Sequence, residues 1–239
     1  MTLQVVLFGR DGGVVIASDT CVERIKPGRN SRITDSGSKI VIVPGLAYTF
    51  AGDECAKEVG AAVAKKIAET SKPLPYDFID EASNRALEEY KITVGSEFSE
   101  TYRKIIWVQT ESDRFAIWSS FYDSRDRKFV LLTPDVKFDG KCRVFAGDEF
   151  NLARYIVEHY YDKDKYSLRN VSSLKRLAAH MILTGNTFNS ACVNGLEIVV
   201  GNSEGFTWVP REEIQALAEL SRRIHEENDS YFKDQNPIP

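Results

Sequence analysis

Apolar and polar positions change period several times along the chain, and each change predicts an element. At the start, "TLQVVLF" and "GGVVIASDT" are two apolar runs around the turn "GRDGG". Short apolar runs closed by glycine and aspartate predict a β-hairpin over residues 2–19. The next stretch, "CVERIKPGRNSRITDSGS", is polar and rich in turn residues, which predicts a loop. "KIVIVPGLAYTFAG" then predicts two strands broken at Pro44-Gly45. After Gly52 the period lengthens: Cys55, Val59, Val63 and Ile67 recur every fourth position, with Ala62 beside them, which is the stripe of a helix. Asp53 is placed to cap it.

"SKPLP" interrupts the pattern, and "YDFIDEASNRALEEYKI" predicts a second helix. Four strands follow in "KIIWVQTES", "RFAIWSSFYD", "KFVLLTPD" and "KCRVFAGD", with short turns between the first three. Two more helices are predicted in "FNLARYIVEHYYDK" and "VSSLKRLAAHMIL". Strands at "CVNGLEIVVGN" and "GFTWV" come next, and a last helix starts after Pro210. Helices that arrive in pairs between groups of antiparallel strands disfavour a doubly wound parallel sheet. The order predicts an α+β fold of two stacked antiparallel sheets with helix pairs outside. No Ser/Gly-rich linker divides the chain, so one domain over residues 1–232 is expected, with a frayed tail at 233–239.

Composition narrows the function. Hydrophobic residues make up 43% and charged residues 28%, as in ordinary globular proteins. The net charge of −4 gives no basic surplus for a nucleic-acid partner. Cys21, Cys55, Cys142 and Cys192 lie far apart without a CxxC spacing, which argues against a zinc ribbon and for a reducing compartment. No apolar run approaches a membrane span, and "MTLQVV" lacks the charged start of a signal peptide, so a cytoplasmic location and no membrane partner are expected. There is no phosphate loop or nucleotide fingerprint, and no metal spacing links His159, His180 and Cys192. No cofactor or metal is expected.

Three polar residues stand out at the edges of predicted strands: Thr2, Asp19 and Lys39. A carboxylate ending so apolar a strand as "VVIASD" needs a cationic or hydrogen-bonding partner if it is buried. Removal of Met1 would place the Thr2 hydroxyl next to a free α-amine, whose ordinary pKa is about 8. Such an amine can serve as general base for the hydroxyl beside it. Lys39 would favour the neutral amine, and Asp19 would hold Lys39 in place. In "FAGD" a strand runs into a helix, where the Gly52 N–H can face a developing oxyanion. Singly, each residue has a plainer reading: a common second residue, a turn aspartate, a solvated lysine at a strand start.

Together, "TLQVV", "DGGVVIASDT", "SKIVIV" and "YTFAGDECAKEVG" resemble the first segment of proteasome β-type subunits and of bacterial proteasome-like proteases. Weaker likeness continues through "VFAGDEFNLARYIVEHYY" and "LKRLAAHMILTGNTFNSACVNGLEI". The resemblance implies the N-terminal-nucleophile hydrolase sandwich, layered helix, sheet, sheet, helix. It also implies Thr2 as nucleophile, Asp19 and Lys39 as its supporting pair, and Gly52 as oxyanion donor. The start of the sequence, without the long extension of α-type subunits, favours the β-type. A threonine-type endopeptidase working inside a homo-oligomeric ring is implied, with peptides or unfolded proteins as substrate and an ATPase unfoldase as a possible partner. The alternatives are a silent ring-forming scaffold and an amidase or amide-exchange enzyme with one defined substrate.

The chain departs from the family pattern in three places. Asp19 lies one residue further from Thr2 than is usual. Gly147-Asp148-Glu149 stands where a Gly-Ser-Gly is usual. The Asp and Ser that support the terminal amine would fall near Asn186, Thr187, Asn189 and Ser190, where no Asp stands.

Overall fold

A computed structural model describes residues 2–25, 32–70, 76–111, 114–132, 143–147, 155–156, 170–188 and 193–233. The first strands are β1 (Leu3–Phe8), β2 (Val14–Ser18), β3 (Cys21–Ile25), β4 (Arg32–Ser36), β5 (Ile40–Val43) and β6 (Leu46–Ala51). Helices α1 (Glu54–Thr70) and α2 (Tyr76–Val94) follow, then β7 (Lys104–Glu111), β8 (Arg114–Asp123), β9 (Lys128–Leu132) and β10 (Arg143–Gly147). The rest is α3 (Val171–Phe188), β11 (Glu197–Asn202), β12 (Gly205–Trp208) and α4 (Arg211–Lys233). One five-stranded sheet has the order β10-β1-β2-β11-β12 and the other the order β5-β6-β7-β8-β9. Every neighbouring pair in both is antiparallel.

Side-chain alternation sorts the core into three layers. In β1, Leu3, Val5 and Leu7 pack with Leu174, Ala178, Met181 and Ile182 of α3. Val6 points the other way and joins Ile16 of β2, Ile40 of β5, Ala47 of β6 and Ile106 of β7 between the sheets. The outer face of the second sheet presents Tyr48, Ile105 and Trp107 to Cys55, Val59, Val63 and Ile67, the stripe of α1, and to Ile79 and Leu87 of α2. The layers therefore run helix, sheet, sheet, helix. Strands β1 and β2 are covered on both faces, so their sequences are nearly unbroken apolar runs.

The first hairpin holds its register through the turn at residues 9–13. The Gly9 N–H donates to the Gly13 carbonyl at 2.7 Å, and Gly12 has a φ of +77°, a conformation that favours glycine. Asp11 works on both sides of this turn. Its Oδ1 accepts from the Gly13 N–H at 3.4 Å and its Oδ2 from the Val171 N–H at 3.0 Å, so it also caps α3.

One expected loop is a strand pair. Residues 21–25 and 32–36 form a two-stranded antiparallel ribbon, β3 with β4, that joins neither main sheet. Val22, Ile25, Ile33 and Thr34 supply the β-branched content of a ribbon whose polar neighbours hide any period. Of the helix expected from Phe150, only Tyr155 and Ile156 are among the described residues, and both are helical. Residues 234–239, where fraying was expected, lie outside them. Among the described residues no helix is long and apolar enough to cross a membrane.

Candidate functional site

Thr2 stands at the start of β1, and the hairpin register carries Leu3 to a position opposite Asp19, just past the end of β2. The Asp19 N–H donates to the Leu3 carbonyl at 3.1 Å, and the Leu3 N–H donates back to Asp19 Oδ1 at 2.7 Å. Asp19 Oδ2 accepts the Cys21 N–H at 3.0 Å and the Lys39 ammonium at 2.7 Å. Lys39 Nζ also donates to Thr2 Oγ1 at 2.9 Å. All three side chains are buried: Asp19 is 0%, Lys39 4% and Thr2 7% exposed. Burial pushes the Asp19 carboxyl above its ordinary value, while the Lys39 charge and hydrogen bond and the Leu3 and Cys21 N–H groups pull it down. Lys39 is thus the partner that a buried Asp19 requires.

The longer spacing between Thr2 and Asp19 is taken up in the turn. Pairing runs from Phe8 opposite Val14 to Gln4 opposite Ser18 without a bulge, leaving residues 9–13 to close the hairpin. No side chain of β2 changes face, and Thr2 meets Lys39.

Gly52 follows the last residue of β6. The Phe50 N–H donates to the Lys39 carbonyl at 3.3 Å, so it faces the start of β5. Gln4 Nε2, from β1, donates to the Phe50 carbonyl at 2.5 Å. Gly52 itself has a φ of +123°, and a Cβ there would lie 2.5 Å from the Tyr102 carbonyl oxygen. Its neighbour Asp53 caps α1 by accepting the Cys55 N–H at 3.1 Å. Arg103, 1% exposed, grips the same carboxylate with Nε at 2.7 Å and Nη2 at 2.6 Å, its guanidinium set against the Phe98 and Tyr122 rings. The glycine is held from both sides.

Arg103 and Glu197 escape the sequence reading, and Gly147 enters it only within the stretch Gly147-Asp148-Glu149. Gly147, at the end of β10, packs so closely on Thr2 that a Cβ would fall 1.5 Å from the Thr2 carbonyl oxygen; its φ is +96°. Its N–H donates to the Tyr102 hydroxyl at 3.2 Å. Gly147→Ala should therefore lower stability by about 2 kcal/mol or more and displace residue 2, measurable by denaturant titration. Glu197, the first residue of β11, sends its carboxylate to β5, where Oε1 accepts the Lys39 N–H at 2.6 Å and the Ile40 N–H at 2.9 Å. The only sequence signal was an acidic residue opening the apolar run "LEIVV".

Burial raises the Glu197 carboxyl to about 7 from an ordinary 4.5, against the pull of the two N–H groups, the Ser38 hydroxyl and the Lys39 charge. A carboxyl raised on folding contributes stability below its unfolded pKa, and that contribution is lost as pH rises through the folded one. Wild type should therefore lose stability relative to Glu197→Gln between about pH 4.5 and about 7, measured by denaturant titration across that range.

Asn186 and Thr187, expected near the terminal amine, lie at the end of α3, where Thr187 Oγ1 donates to the Leu183 carbonyl at 3.1 Å. Asp148, Glu149, Asn189 and Ser190 are outside the described residues. His180 sits between α3 and α4, its Nδ1 2.9 Å from Ser221 Oγ and its ring centroid 4.9 Å from that of His225. Among the described residues no group of His, Cys, Asp and Glu could hold a metal ion.

The helix–sheet–sheet–helix sandwich is the fold of solved structures of Anbu, a proteasome-like protein described as an ancestral beta-subunit. Solved structures with this fold include Anbu, an ancestral beta-subunit, from Yersinia bercovieri, at 11% identity and a TM-score of 0.68, covering 99% of each chain. The helical assembly of the Anbu complex from Pseudomonas aeruginosa matches at 16% identity and a TM-score of 0.69, over 99% of this chain and 98% of that one. A Gly-1 mutant of Anbu from Hyphomicrobium sp. strain MC1 matches at 13% identity and 0.66, over the full length of both. At such identities the likeness shows the fold. No family model and no curated protein matches the chain.

Proposed function

We propose that the chain is a threonine-type peptidase that becomes active when Met1 is removed. The observation that carries this reading is the hydrogen bond from the Lys39 ammonium to the Thr2 hydroxyl, inside a buried set closed by Asp19. A lysine placed against a hydroxyl oxygen stabilises negative charge there as the oxygen becomes a nucleophile. In this reading Thr2 Oγ attacks the carbonyl carbon of an amide, and its proton passes to the Thr2 α-amine. The Gly52 N–H donates to the oxyanion. The amine then returns the proton to the leaving nitrogen as the carbon–nitrogen bond breaks. Water attacks the resulting ester, with the same amine as base, and releases the acid and free Thr2. An amine tied into a peptide bond with Met1 cannot take that proton, which makes Met1 removal the activating step.

The reading includes assembly. The Anbu structure from Pseudomonas aeruginosa is a helical assembly, and we propose that this chain also multiplies its sites in a homo-oligomer, with peptides or unfolded protein as substrate and an ATPase unfoldase as a further partner. Light scattering should give a mass many times that of one chain, and a monomer at micromolar concentration removes this part. The catalytic part is tested by an electrophile aimed at N-terminal threonine: processed protein should gain one adduct on Thr2.

A further inference from the structure

The β5–β6 ladder is open at its first rung. Lys39 and Phe50 are opposed in register, in the position where an antiparallel pair exchanges two hydrogen bonds. Only the bond from the Phe50 N–H to the Lys39 carbonyl is made. The Phe50 carbonyl accepts from Gln4, and the Lys39 N–H goes to Glu197. Both interlopers come from the opposite sheet, Gln4 from β1 and Glu197 from β11. Glu197 also takes the Ile40 N–H, which points away from β6 because Ile40 and Thr49 are the next, non-bonded pair.

From this geometry we infer that Glu197 is a positioning residue for Lys39, clamping the start of β5 so that the ammonium reaches Thr2 and Asp19, and that the clamp loosens when Glu197 takes up a proton. The catalytic consequence rests on the peptidase reading; the clamp itself does not. A carboxylate holds N–H donors more strongly than a neutral acid does, and those donors pull the Glu197 carboxyl down. Protonation therefore favours a local loosening in which Glu197 stays buried, in contrast to global unfolding, which hydrates the carboxyl. The groups facing the carboxylate are the Lys39 and Ile40 N–H donors, the Ser38 hydroxyl and the Lys39 charge at the start of β5, with Asp19 beyond Lys39 just past the end of β2 and Ser18 beside it in register. Burial among these sets its titration near neutral pH, where the loosening would occur.

Two measurements on the full-length, Met1-processed protein test this. In residue-resolved hydrogen exchange, the Ile40 amide should be protected in wild type above pH 7 and less protected below it. Glu197→Gln, which keeps the acceptor oxygen, should retain protection without that pH dependence. Glu197→Ala should exchange roughly tenfold faster or more. In the labelling of Thr2 by an N-terminal-threonine electrophile, the logarithm of the wild-type rate should rise with a slope of roughly 1.5 between about pH 6 and 7, one from the amine proton and the remainder from Glu197. Glu197→Gln should show a slope of one and label roughly tenfold more slowly at pH 8. An Ile40 amide that exchanges in Glu197→Ala as slowly as in wild type overturns the clamp. A wild-type slope in Glu197→Gln overturns its link to Lys39. Wild type that never labels defeats the peptidase reading instead, and the exchange measurements still decide the clamp.

Discussion

Thr2→Ala, once processed to begin at residue 2, should fold and assemble as wild type does yet lose peptide hydrolysis and electrophile labelling by on the order of 10³-fold or more. The substitution removes the attacking oxygen and leaves the α-amine in place. It takes from Lys39 one of two acceptors, and Asp19 at 2.7 Å retains the ammonium. The structural penalty should thus stay near that of one hydrogen bond, about 1 kcal/mol. Assembly and melting temperature separate this result from misfolding. A Thr2→Ala protein that hydrolyses peptides at the wild-type rate rules Thr2 out as nucleophile.

Lys39→Ala should be equally inactive and, unlike Thr2→Ala, much less stable. Asp19 is fully buried with Lys39 as its counter-charge, and removing one partner of a buried pair costs about 3–5 kcal/mol. The sign of the pH dependence follows from the same burial. Without Lys39 the desolvation that already raises the Asp19 carboxyl meets less opposition, so the folded protein holds a proton there more tightly. Stability from such a group is present at low pH and is lost as pH rises through the folded pKa. The deficit of Lys39→Ala should therefore shrink as pH falls from neutral toward 4. Lys39→Met combined with Asp19→Asn should restore much of the stability and none of the activity, because no charge is then left unpaired. Denaturant titrations at pH 4 and pH 7 check both points. An equal deficit at the two pH values contradicts a buried Asp19 that depends on Lys39.

Much of the sandwich was legible because its layers write periods into the chain. The four-residue recurrence of Cys55, Val59, Val63 and Ile67 is the face that α1 buries, and the unbroken apolar runs of β1 and β2 are strands covered twice. Of the site, Asp19 was legible as a problem: a carboxylate at the end of an apolar strand, if buried, needs a cationic or hydrogen-bonding partner, and Lys39 was a strand-end cation without another evident partner. The ribbon of β3 and β4 was not legible, since a pair outside both sheets has no obligation to alternate. Glu197, Arg103 and the contact of Gly147 with Thr2 were hidden for a different reason. Each acts across elements distant in sequence, Glu197 on β5, Gly147 on Thr2 and Arg103 on the cap of α1. Local pattern carries no trace of which strands the fold will set side by side.

The central claim is that a processed Thr2, supported by Lys39 and Asp19, is a nucleophile. Intact mass spectrometry of the purified protein, before and after exposure to an electrophile specific for N-terminal threonine, tests it most directly. The account predicts a chain that begins at Thr2 and gains one adduct, which peptide mapping assigns to residue 2 and which Lys39→Met prevents. A chain shown by mass to begin at Thr2 that takes up no adduct, and cleaves none of a broad set of peptides, contradicts it and leaves a ring-forming scaffold with the same fold.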